Sequence, residues 1–125
     1  MQYINGLWVD EGSHVFASIN PATGKNIWQG KAASAELVVA TVAAARSAFP
    51  AWAALSYEAR LARLEAFKSL ISSKQEELAR LIAEETGKAL WDAKSEVAAV
   101  MAKLGFSADA YAERTGTKLK ASPVG

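Results

Sequence analysis

The chain has 125 residues, 51% of them hydrophobic, and a formal net charge of +1 from 14 basic and 13 acidic side chains. That is one domain's worth of sequence, and with no basic stripe or acidic tail it gives no reason to invoke nucleic acid or an anionic membrane. There is no cysteine, which excludes disulfides, thiolate metal sites and a cysteine nucleophile within these residues.

Met1 to Glu11 lacks a basic segment followed by an apolar one, so no signal peptide is expected and a cytoplasmic location is. Residues 3–9 are aromatic and β-branched around Asn5-Gly6. That dipeptide fits either a strand, turn, strand arrangement or a bulge within one strand. Val15 to Ile19 reads as a strand, Asn20-Pro21-Ala22-Thr23-Gly24 as a turn, and Lys25 to Gly30 as the returning strand.

Ser34 is placed as an N-cap with Glu36 at the positive helix end, and the helix should stop at about Phe49 before Pro50. Its interior, Leu37 to Ala45, has no charge, as expected of a helix covered on several sides. The alanine-rich run from Ala32 to Leu55 is long enough to span a bilayer. Glu36, Arg46 and Pro50, and alanine's small contribution to insertion, favour a soluble helix instead.

Ser56 should cap a second helix with Leu61, Leu64, Phe67 and Ile71 at the 3.6-residue period and Glu58, Arg60, Arg63 and Lys68 opposite. Ser73-x-x-Glu76 matches a capping box that would start a third helix, with Leu78, Leu81 and Ile82 as its buried stripe. Gly87 should end it as a left-handed cap. A fourth helix is expected from about Leu90 to Glu113, with Ala93, Val97, Val100, Leu104, Ala108 and Tyr111 on one side. The fold class expected is therefore α+β: hairpin strands within residues 3–30, about four helices within 34–115, and a linker at 117–125.

Catalytic constellations are scarce. No phosphate-binding glycine loop, nucleophile elbow, zinc-protease helix or calcium loop is present. His14 sits in an interstrand loop with nothing near it in sequence to orient its ring, so a solvated residue is the better reading. Glu84 and Glu85 are adjacent on a helix and diverge, unlike the paired carboxylates of a glycosidase. Thr86-Gly87-Lys88 follows a helix C-terminus, whereas phosphates favour N-termini, so a helix–helix corner is expected there. Trp8, Trp28, Trp52 and Trp91 should fill the junction between hairpins and helices, with each indole N–H near solvent.

The motifs together resemble the aldehyde dehydrogenase superfamily. Ile4-Asn5-Gly6-x-Trp8 and Asn20-Pro21-Ala22-Thr23-Gly24-Lys25 are similar to its opening hairpins. Phe49-Pro50-x-Trp52 and Glu85-Thr86-Gly87-Lys88 continue the match in order over Met1 to Thr117. Ile27-Trp28-Gln29-Gly30, Trp91, Glu96-Val97, Lys103, Ala110-Tyr111 and Arg114-Thr115-Gly116 resemble the branch acting on N-succinylglutamate 5-semialdehyde in arginine catabolism.

The resemblance implies an N-terminal segment, residues 1–116, of an α/β NAD-dependent oxidoreductase. In that family a cysteine thiolate attacks the aldehyde, hydride passes to NAD, and a glutamate activates the water that hydrolyses the thioester. The cysteine, the glutamate, an oxyanion asparagine and the NAD loop all follow the segment present here. The expectation is accordingly no catalytic, cofactor-binding or metal residue in this chain, and no activity or bound NAD on its own. Some relatives hold a structural monovalent cation near the backbone at the position of Ile19 and an acidic residue at that of Glu96, with a further ligand from later in the chain. The partners implied are the rest of the parent enzyme and further copies of the chain through apolar helix faces. The alternatives are an aldehyde dehydrogenase of other specificity and a non-enzymatic helical interaction module.

Overall fold

The computed structural model describes residues 1–116, and the expected linker lies outside the described residues. Two short hairpins lead into four helices, the α+β arrangement expected. Strands β1 (Gln2–Ile4) and β2 (Leu7–Val9) pair antiparallel, with Tyr3 opposite Trp8. Between them Asn5 at φ 49° and Gly6 at φ 83° form a two-residue turn whose twist matches the flanking strands. The hairpin alternative is therefore the correct one.

Strands β3 (Val15–Ile19) and β4 (Asn26–Lys31) form the second antiparallel pair, with an irregularity between Ser18 and Ile19. Asn20 organises the turn. Its Oδ1 accepts from the N–H of Ala22 at 2.9 Å and of Thr23 at 3.2 Å, and Gly24 closes the loop at φ 69°. Gln2 ties the two hairpins together by donating its side-chain N–H to the Lys31 carbonyl at 2.8 Å.

The helices are α1 (Ala35–Ala53), α2 (Tyr57–Ser73), α3 (Gln75–Thr86) and α4 (Leu90–Arg114). Ser34 and Ser56 cap the first two, accepting from Leu37 N–H at 3.3 Å and Ala59 N–H at 3.1 Å. Three expectations need correction. Pro50 does not end α1, which continues to Ala53. A proline deletes one backbone donor and crowds the preceding turn, but the helix can resume after it. Arg60 of α2 then binds the free end, donating to the carbonyls of Leu55 at 3.0 Å and Ala53 at 3.4 Å.

Ser73 does not cap α3 either. It is the last residue of α2, and its hydroxyl donates back to the Leu70 carbonyl at 2.8 Å, so the capping box has no cap. Lys74 is the shared hinge between the two helices and offers no side-chain cap. Lastly, Leu81 is 40% exposed, and the buried residue of α3 is Ala79. Its partners explain this: α3 crosses α4 at Ala93 and Val97, where small side chains let the two backbones approach.

Ala79, Ala93 and Val97 are the only fully buried hydrophobic residues among those described. Ile71, Leu78, Ile82, Ala83 and Met101 pack around them in part. Helix α1 makes only glancing contact with the other elements. The chain exposes 9680 Å², where a compact monomer of 13.3 kDa would expose about 6,500 Å².

Candidate functional site

The α3–α4 corner carries two ion pairs and a hydrogen bond that joins hairpin to helix. Gly87, at φ 74°, ends α3 as a left-handed cap, its N–H donating to the Ala83 carbonyl at 2.9 Å. Lys88 reaches along the first two turns of α4, with Nζ 2.9 Å from Asp92 Oδ2 and also bonded to Glu96. The hydrogen bond to Glu96, and then that to Asp92, raise the lysine pKa above its usual value.

The β3–β4 hairpin docks onto this corner at two points. Trp28 Nε1 donates to Glu85 Oε1 at 2.8 Å. Pro21 lies against Gly87 so closely that a Cβ there would stand 2.8 Å from the proline Cγ.

Chemically the corner is closed to an anion. Its one lysine is held by two carboxylates, those carboxylates line the positive end of α4, and Pro21 covers the glycine. Thr86-Gly87-Lys88 is a helix–helix corner, as read from sequence. Glu84 and Glu85 do diverge: Glu85 receives the indole, while Glu84 borders a surface cleft with Glu76, Glu77, Arg80 and Leu81.

His14 is exposed, and its Nδ1 lies 3.3 Å from Ser13 Oγ. No group of three His, Asp or Glu side chains able to hold a metal ion occurs among the described residues. Glu96, the acidic residue considered for a cation, is taken by Lys88. No helix among the described residues is long and apolar enough to cross a membrane.

Two apolar clefts open between the helices. One, of about 440 Å³, is an open groove between α2, α3 and α4, lined by Phe67, Leu70, Leu78, Ile82 and Val100 and bordered by Lys74. The other, of about 280 Å³, lies beside stacked Tyr57 and Tyr111, whose ring centroids are 4.2 Å apart, with Trp52 and Arg60 at its wall. Sequence reasoning gave the periodic apolar positions but did not foresee that Phe67, Leu70 and Val100 would remain open. The signal was available in Phe67, Leu70 and Ile71, which widen the apolar face of α2 beyond what one neighbouring helix covers. Of the four tryptophans, Trp28 bridges hairpin and helix as expected. Trp8 and Trp91, 69% and 73% exposed, do not fill that junction.

The model of the "Aldehyde dehydrogenase family" matches residues 8–124. The chain is 48% identical over 116 residues to an N-succinylglutamate 5-semialdehyde dehydrogenase of Burkholderia thailandensis, covering 93% of this chain and 24% of that protein. A protein of the same name from Burkholderia orbicola is 49% identical over the same length. The chain thus spans about a quarter of the length of the curated relatives it matches.

Among solved structures it is similar to a betaine aldehyde dehydrogenase mutant of Staphylococcus aureus in complex with NAD+, with a TM-score of 0.82 and 28% identity over 98% of this chain and 25% of that one. An NAD-dependent benzaldehyde dehydrogenase of Corynebacterium glutamicum gives a TM-score of 0.83 at 26% identity, over 98% of this chain and 27% of that one.

Proposed function

This chain belongs to the aldehyde dehydrogenase family, and from that premise we propose that residues 1–116 are the N-terminal part of an enzyme that oxidises N-succinylglutamate 5-semialdehyde to N-succinylglutamate with NAD, in the arginine catabolism of the cytoplasm. One observation carries the choice of substrate. Identity to proteins named for that aldehyde is 48–49%, against 26–28% to the betaine and benzaldehyde enzymes.

On this reading the chain itself supplies no catalytic, cofactor-binding or metal residue. It has no cysteine to form a thiolate. The residues present do not fit the cofactor either, since the one corner with a glycine and a lysine ahead of a helix is filled by Asp92, Glu96 and Pro21. Its part is scaffolding: the hairpins and helices present apolar faces on which the catalytic portion is built. Alone, the chain turns over no aldehyde and shields those faces by self-association.

The test is the polypeptide encoded by the reading frame continued past Gly125, assayed for NADH formation with N-succinylglutamate 5-semialdehyde and with betaine aldehyde. A preference for the succinylated substrate supports the assignment, and a preference for betaine aldehyde sinks it. For the 125-residue chain by itself, NADH formation above the blank would overturn the scaffolding role.

A further inference from the structure

Asn5 and Gly6 form the turn of the β1–β2 hairpin, and we propose that Asn5 is a site of spontaneous deamidation whose isoaspartate product opens that hairpin. The proposal is independent of the function proposed above. Both residues are exposed, and a Cβ placed on Gly6 would meet nothing within 4 Å. The Gly6 amide nitrogen is therefore unshielded by a side chain of its own, and it can close a five-membered ring on the Asn5 side chain.

The other two asparagines lack such a neighbour. Asn20 precedes Pro21, whose nitrogen carries no proton to lose, and its Oδ1 already accepts from the N–H of Ala22 and Thr23. Asn26 is paired with Ile19 in the β3–β4 ladder and precedes Ile27, whose β-branched side chain crowds the approach.

The step needs only water. The Gly6 nitrogen attacks Asn5 Cγ, the new N–Cγ bond forms, the Cγ–Nδ2 bond breaks, and Nδ2 leaves as ammonia with the displaced proton. Water then opens the ring. Attack at Cγ gives aspartate; attack at the main-chain carbonyl of residue 5 gives isoaspartate, in which the backbone runs through Cγ. One water is consumed, one ammonia is released, and nothing is oxidised or reduced. The product gains a carboxylate, so the formal net charge falls by one from +1.

The hairpin governs the rate and suffers the consequence. Ring closure turns the peptide plane between Asn5, at φ 49°, and Gly6, at φ 83°, which the paired strands resist. Those strands are three residues each, and an isolated two-stranded hairpin is marginal in water, so the turn opens readily. Isoaspartate adds one backbone atom to a two-residue turn that sets Ile4 opposite Leu7 and Tyr3 opposite Trp8. The strands then no longer meet in that register. Lost with it are the Tyr3–Trp8 contact, with ring centroids 5.2 Å apart, and the Gln2 bond to the Lys31 carbonyl that ties the two hairpins. The new carboxylate also arises beside a cleft of about 370 Å³ shared with Thr41, Ala44 and Ala48 of α1, whose lining has no cation to receive it.

The experiment holds the 125-residue chain at neutral pH and growth temperature for days. Ion exchange separates the product, peptide fragmentation locates it, and methylation by an isoaspartate-specific carboxyl methyltransferase identifies it. Conversion at Asn5 should run at least tenfold faster than at Asn20 or Asn26, with isoaspartate in excess of aspartate. Gly6→Ala disturbs the turn yet should slow conversion at least tenfold, because the added methyl shields the nitrogen. Asn5→Asp carries the charge without the extra atom. It should keep the magnetic contact between the Tyr3 and Trp8 rings that the isoaspartyl chain loses.

No conversion at Asn5, or conversion led by Asn20 or Asn26, overturns the proposal. So does a Gly6→Ala chain that deamidates as fast as the native one, or an isoaspartyl chain that retains the Tyr3–Trp8 contact. Loss of that contact in Asn5→Asp would place the cause in the charge and overturn isoaspartate as the opener.

Discussion

Gly87 decides how the β3–β4 hairpin meets the helices. An alanine there would hold a left-handed backbone, at about 1–2 kcal/mol, and would drive its Cβ to 2.8 Å from Pro21 Cγ. Gly87→Ala should therefore lower stability in urea by at least the backbone cost, and adding Pro21→Ala should recover the steric part alone. If the double variant is no more stable than the single, Pro21 is not pressed on the corner. Lys88 makes a pH prediction at the same place. Its folded pKa is raised by Glu96 and Asp92, so the stability it adds is fully present below the ordinary value of 10.5 and is lost as pH rises through the folded value. The difference in melting temperature between the native chain and Lys88→Met should hold steady from neutral pH to about 10 and shrink above it. The Gly87 cap could be read from sequence, because a glycine after an amphipathic run has a local cause. The Trp28–Glu85 bond could not, since its partners are 57 residues apart and nothing local pairs an indole with one carboxylate over another.

At the scale of elements, the number, type and order of the helices were legible, because apolar periodicity and serine caps act locally. The boundaries that failed did so for tertiary reasons. Pro50 reads as a stop, but Arg60 from the next helix captures the carbonyls beyond it. Replacing Pro50 by alanine should restore the donor to the Arg46 carbonyl and raise helical circular dichroism. A fall in helicity would mean that the proline sets the turn into α2. The capping box at Ser73 was misread because a motif of four residues cannot tell whether its first serine is still inside the preceding helix. Of the stripe expected on α3, Leu78 and Ile82 do pack around the cluster, while Leu81 stays open and Ala79 takes the crossing, because the closeness of α4 rewards alanine over leucine there, a property of the pair of helices. Val97 bears that crossing, being 3% exposed, and Val97→Ala should cost about 1–2 kcal/mol as a cavity at the one buried cluster among the described residues. A loss under about half a kilocalorie would show that the crossing collapses around the change.

Across the whole molecule the open apolar faces were only partly legible. A cysteine-free chain with uncharged helix interiors reads as a part, but which faces stay open depends on how α2, α3 and α4 splay, and no periodic pattern encodes that. Stability should follow the same division. Backbone amides of α3 and α4 surround the buried cluster of Ala79, Ala93 and Val97, so they should exchange with solvent deuterium most slowly. At concentrations too low for self-association, those of α1 and the β1–β2 hairpin have little tertiary cover and should exchange near the rate of a frayed helix and an isolated hairpin, which are marginal in water. In the polypeptide continued past Gly125 the order should reverse for α1 specifically, its amides slowing by a hundredfold or more, because burial under the catalytic portion closes the local opening that lets them exchange. Uniform protection across all four helices in the chain alone would mean that α1 finds cover within the chain, and the surface assigned to a partner would then have none to receive.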